Sequence, residues 1–152
     1  MRDVSVLTIA RGREAHLHNV IRGLAAQTVP PRELVIAAMQ DELYDGLPDA
    51  PFPIHQIQVT RPDGELPLAA ARNAVAAKAS GAVLAFVDVD CIPHPELVAD
   101  VAEACHEGRG LVMGEVAYLP KGATEGGLDF DHFDKIGVKH SDRQGPPAEG
   151  LR

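Results

Sequence analysis

Two carboxylates stand one residue apart in "AFVDVDCIPHPELV", residues 85–98. Asp88 and Asp90 sit at the exit of an apolar run, and two prolines follow. Side chains two apart on an extended chain point to the same face, so this pair would set like charges side by side. A shared hard cation relieves the repulsion. Such ions are held by one or two carboxylates, with water and substrate phosphates completing the shell. The spacing therefore points to a metal clamp for a phosphorylated ligand. The plainer reading is a solvated turn after a strand, with Asp90 capping a backbone group.

The surrounding elements must present that pair at an edge. "VSVLTI" (4–9), "LVIAAM" (34–39), "IHQIQV" (54–59) and "AVLAFV" (82–87) read as strands, the third weaker and nearer an edge. "LVMGEVAYL" (111–119) reads as a last strand. Between them lie helical patterns. Leu17, Val20, Ile21, Leu24 and Thr28 share one face, and Pro30 and Pro31 end that helix. Leu68, Ala71, Val75 and Ala79 form a second stripe, opened by Pro67 and capped by Gly81. Leu97, Val98, Val101 and Cys105 form a third after Pro95, with Gly108 and Gly110 bracketing its end. The strands are continuously apolar, so they are expected in a mostly parallel sheet covered by helices on both faces, a three-layer α/β sandwich. Ligands in such sheets lie outside the carboxyl ends of the strands, where Asp88 and Asp90 fall. From about residue 120 the sequence turns polar and Gly-rich and reads as a long excursion.

The chain has 152 residues, which fits one domain, and 45% apolar content supports a folded core. Aromatics are only 4%, so Val, Leu, Ile and Ala must fill that core. A formal charge of -8 disfavours nucleic acid as a partner, though a divalent cation would let a nucleotide bind. No apolar run is long enough for a membrane span, and the N-terminal one is too short for a signal peptide. A cytoplasmic protein is expected, with Cys91 and Cys105 reduced and partly buried.

"VSVLTIARGREAHLHNVIRGLAAQTVPPRELVI" together with "ARNAVAAKASGAVLAFVDVDCIPHPELV" resembles the nucleotide-sugar half of the family 2 glycosyltransferases, which have the Rossmann-like GT-A fold. The likeness covers roughly residues 3–119. It rests most on Ala71-Arg72-Asn73 followed by the Asp-x-Asp. The resemblance implies a nucleoside diphosphate sugar donor cradled by Thr8, Ala10 and Arg11, with Arg13 reaching a phosphate. Arg72 would sit near the diphosphate or the metal-binding carboxylates, Asp88 near the ribose with Val89 between the two carboxylates, and Asp90 would hold Mn²⁺ or Mg²⁺. Transfer would be metal-assisted and inverting. Where family members carry acidic residues after the second strand, this chain has Ala38 and Met39, with Asp41 as a substitute after a loop shift. The catalytic base and acceptor site are expected beyond residue 152, with residues 120–152 leading into that region. The acceptor is unassigned, and a homo-oligomer is compatible with this reading.

Rival readings are a non-catalytic nucleotide-sugar-binding module and, less favoured, a haloacid dehalogenase-type phosphatase. The phosphatase motif lies on a first strand, whereas here it follows three. A dinucleotide-binding Rossmann domain is disfavoured, because no Gly-x-Gly-x-x-Gly follows the first strand. His94 reads as a loop residue. Asp131, His132, Asp134 and His140 are a weak candidate for a second metal site, and Asp131 or Asp134 for a base folded over the donor.

Overall fold

The computed structural model describes residues 3–105, 110–130 and 133–139. Four parallel strands form one sheet: β1 (Val4–Ala10), β2 (Glu33–Ala38), β3 (Ile54–Gln58) and β4 (Val83–Phe86), in the order β3-β2-β1-β4. Helix α1 (Glu14–Ala25) connects β1 to β2, α2 (Leu68–Lys78) connects β3 to β4, and α3 (Leu97–Ala104) follows β4. Central β1 and β2 are buried almost throughout, while edge strand β3 is half-buried. This matches their continuous apolar runs, because a central parallel strand is covered on both faces.

The core has two halves, one on each face of the sheet. Val4 and Val6 of β1 and Leu34 and Ile36 of β2 pack with Leu17, Val20, Ile21 and Leu24 of α1 and Val98 and Ala102 of α3. On the opposite face, Leu7, Val35 and Ala37 pack with Ala71 and Val75 of α2. The architecture is thus α/β with three layers, as expected. The chain runs from β1 outward to β2 and β3, then returns to place β4 on the other side of β1. The strand order therefore reverses between β1 and β4, and at such a switch point the carboxyl ends of the strands border a ligand crevice.

Three local expectations are corrected. The run at 111–119 does not join the sheet. Only β5 (Ala117–Tyr118) is extended, pairing antiparallel with β6 (Val138–Lys139), and Leu111 and Met113 are 76% and 64% exposed. A continuously apolar strand needs a layer on each face, and no described residue supplies one here. Thr28 lies past the end of α1 and is exposed. Gly81 does not cap α2 in a left-handed conformation. It sits where a Cβ would meet Ser5 Oγ at 2.6 Å and Ser5 N at 2.7 Å, so its role is close approach to β1.

That approach belongs to a polar knot at the amino end of the sheet. Glu33 is 5% exposed. Its Oε1 accepts from Ser5 Oγ (2.6 Å), the Ser80 amide (2.6 Å) and Ser80 Oγ (2.8 Å). The Gly81 amide donates to Ser5 Oγ at 2.8 Å, and His55 Nε2 lies 3.4 Å from Glu33 Oε2. Burial pushes the Glu33 carboxyl up. The hydrogen bonds from Ser5 and Ser80, with His55 beside them, outweigh burial and hold it below the ordinary carboxylate value. A depressed carboxylate contributes stability that is present above its unfolded pKa and lost as pH falls through its folded pKa. Glu33→Gln is therefore expected to cost about 1–3 kcal/mol near neutral pH. That deficit should shrink on the acid side, below the ordinary Glu range. Urea unfolding of both proteins from pH 7 to pH 3 reads this out, and parallel stability profiles would refute it.

Candidate functional site

The chain stays paired for one residue beyond β4, where the Val87 amide donates to the Leu7 carbonyl at 2.9 Å. It then turns, with the Cys91 amide donating to the Asp88 carbonyl at 2.9 Å. Val87 and Val89 pack against the core on the α1 side, which leaves Asp88 and Asp90 exposed. The carboxylates thus converge through a turn anchored by two valines, and not along a fully extended strand. One carboxylate oxygen from each of Asp88 and Asp90, together with Cys91 Sγ, lie within 4.8 Å of one another.

Across the crevice, the loop from β1 to α1 is built from two successive left-handed residues, Gly12 (φ 59°) and Arg13 (φ 56°). For arginine that conformation is strained and persists only when its surroundings over-determine it. Two contacts do so. The Gly12 amide donates to Gln40 Oε1 at 2.7 Å, and Tyr44 OH donates to the Gly12 carbonyl at 2.8 Å. Tyr44 is buried, and its own backbone is clasped on both sides by Gln56. Burial, with Glu14 nearby, pushes its phenol up to about 12, so the hydroxyl stays a donor at any physiological pH. The loop carries Arg13 to the carboxylate pair, where Nη1 lies 3.3 Å from Asp90 Oδ2.

The segment after Asp90 is pinned to the carboxyl end of α1. Gln27 Nε2 donates to the His94 carbonyl at 2.6 Å, and Gln27 Oε1 accepts from the Val98 amide at 3.0 Å. The Thr28 amide donates to the Pro95 carbonyl at 2.9 Å. A Cβ at Gly23 would lie 3.0 Å from both Ile92 and Pro93, so this glycine lets the segment lie against the helix.

The other expected site residues divide by burial. Thr8 and Ala10 are buried in β1, at 1% exposure each, and the Thr8 hydroxyl has no hydrogen-bond partner among the described residues. Arg11, Asp41 and Arg72 are exposed. Among the described residues, no ion pair or hydrogen bond ties their side chains to the carboxylate pair. The Asp41 carbonyl accepts from Gln58 Nε2. Cys91 and Cys105 form no disulfide among the described residues and are partly buried. Asp131, His132 and His140 lie outside the described residues, and of Asp134 only the backbone is described. Gly108 also lies outside them. Sequence reasoning missed Gln27, Gln40, Tyr44 and Gln56. Gly23 did carry a signal, as an isolated glycine on the apolar face of a helical pattern.

The Glycosyl transferase family 2 model matches residues 5–137. This chain belongs to glycosyl transferase family 2. Glycosyltransferase AglE of Haloferax volcanii is 26% identical over 144 residues, covering 91% of this chain and 47% of that protein. The family 2 domain described here therefore spans about half the length of the curated relative it matches. Its backbone is similar to S. aureus TarS 1–349, with a TM-score of 0.54 at 19% identity over 78% of this chain and 41% of that one. The same TarS fragment in complex with UDP gives 0.52 at 19% identity, over 76% and 41%. These likenesses show the GT-A fold. No helix among the described residues is long and apolar enough to cross a membrane.

Proposed function

We propose that this domain binds the nucleoside diphosphate sugar donor of an inverting glycosyl transfer, with Asp88 and Asp90 holding Mn²⁺ or Mg²⁺. The observation that carries the reading is the convergence of the two carboxylates at the crevice between β1 and β4, in a chain of this family. The donor set fits the ion. Two exposed carboxylates supply hard oxygen ligands at one point and leave room for phosphate oxygens and water. When bound, the cation neutralises charge that builds on the leaving diphosphate.

The protein's own groups divide the remaining work. Residues 1–119 form the donor-binding unit. The carboxyl end of β1, through Thr8, Ala10 and Arg11, lines the base and ribose side of the crevice. Because Thr8 and Ala10 are buried, they act as its floor. Val89 anchors the Asp-x-Asp turn to the core, Asp88 faces the ribose, and Asp41 and Arg72 border the base and the diphosphate. The start of α1 has no side-chain cap, so its free amides favour an anion beside Arg13.

Calorimetric titration of UDP into the protein tests this. Binding is expected in Mn²⁺ and is expected to fall below detection in EDTA, because a chain with a formal charge of -8 repels a diphosphate when no cation intervenes. Equal affinity in the two buffers would remove the metal clamp.

A further inference from the structure

The pair that closes the crevice, Arg13 and Asp90, brings together residues 77 positions apart. A guanidinium stands there beside the carboxylate that the proposed reading gives to a metal ion. The backbone that carries it is fixed from behind, by Gln40 on the Gly12 amide and Tyr44 on the Gly12 carbonyl. The side chain is not fixed. Among the described residues it makes one ion pair, at 3.3 Å, and both partners are more than half exposed. An ion pair of that kind changes an equilibrium constant by no more than about fivefold. It is strong enough to compete with a weakly held cation and weak enough to be displaced.

We infer that Arg13 is a built-in counter-ion for the clamp, which a divalent cation displaces from Asp90, and that the freed guanidinium then turns to the diphosphate arriving with the cation. The inference rests on the proposed donor site. It adds a regulation of that site, in which metal and nucleotide are coupled through one side chain. Without nucleotide, the cation must give up the Arg13–Asp90 contact and receives nothing in return. With nucleotide, the displaced arginine gains a charge-assisted contact to phosphate. Each ligand therefore raises the affinity of the other by the same factor.

Binding of Mn²⁺, followed by the electron paramagnetic resonance of the free ion, tests this with and without UDP. Arg13→Ala is expected to bind Mn²⁺ alone about two- to fivefold more tightly than the natural protein. It is expected to bind UDP in saturating Mn²⁺ about tenfold more weakly, as a charged hydrogen bond is lost. The factor by which UDP tightens Mn²⁺ should fall accordingly, and Arg13→Lys should retain most of it. Arg13→Gly, which accepts the left-handed backbone without strain, should behave like Arg13→Ala and shows that the effect belongs to the guanidinium. Unchanged or weaker binding of Mn²⁺ alone in both variants overturns the inference. Asp90→Asn separates the two levels. If it loses Mn²⁺ while the Arg13 variants gain nothing, the clamp stands and the counter-ion role fails. If it keeps Mn²⁺ affinity, the clamp itself is wrong and the inference falls with it.

Discussion

Asp90→Ala is expected to lower the Mn²⁺-dependent affinity for UDP by about a hundredfold or more. Removal of groups that merely orient metal ligands costs about ten- to a hundredfold in affinity, and on the proposed reading Asp90 is itself a ligand. Asp88→Ala should weaken binding by a similar factor, because it removes one of the two carboxylates that share the ion on the proposed reading. The exposed group His94, Glu96 and Asp100, whose ligand atoms also lie within 4.8 Å of one another, is the internal control. Asp100→Ala should leave UDP affinity unchanged. Calorimetry on the three variants in Mn²⁺ decides the matter. Full affinity in Asp90→Ala, or an equal loss in Asp100→Ala, would move the metal away from the Asp-x-Asp turn.

The second large effect lies at the opposite end of the sheet. Gly81→Ala is expected to destabilise the domain by about 2–4 kcal/mol. The new methyl group would stand 2.6 Å from Ser5 Oγ, 2.7 Å from Ser5 N and 3.0 Å from the Asp3 carbonyl. Two of these atoms are backbone of the segment that β4 pairs with, where the Val83 amide donates to the Asp3 carbonyl at 3.1 Å. They cannot retreat without shifting the register Val4↔Val83 and Ser5↔Leu84. Overpacking of this kind costs about 1–3 kcal/mol. If Ser5 moves, Glu33 loses a hydrogen bond as well, which adds about 1 kcal/mol or more. Against a typical total of about 5–15 kcal/mol, such a loss is large. Urea unfolding measures it, and a midpoint within error of the natural protein would show that the Ser80–Gly81 connection yields freely. The same shift would propagate along β4 to Asp88, so any surviving Gly81→Ala protein should also bind UDP less well.

The strands were legible because burial on both faces leaves an unmistakable mark. "VSVLTI" and "LVIAAM" contain no charged residue and only Ser5 and Thr8 as polar ones, and both lie at the centre of the sheet. "IHQIQV" alternates weakly and lies at its edge. The same criterion misled at 111–119, which is largely apolar but interrupted by Gly114 and Glu115. Apolar content states that a segment would gain from burial but does not supply the layers that bury it, and Leu111 and Met113 stand exposed. Gly81 was misread for a related reason. A glycine after a helix suggests a left-handed cap, while its actual cause, the nearness of Ser5, comes from 76 positions away.

The α/β layering and the placement of Asp88 and Asp90 at a strand's exit were readable along the chain, because both rest on local periodicity, while the family followed from the resemblance of its motifs. Only the tertiary structure decided that Arg13 meets Asp90, that Gln40 and Tyr44 hold the loop that presents it, and that Gln27 ties the following segment to α1. Those contacts join residues between 28 and 77 positions apart. They exist because the chain reverses its winding between β1 and β4, which brings two distant loops to the same edge of the sheet.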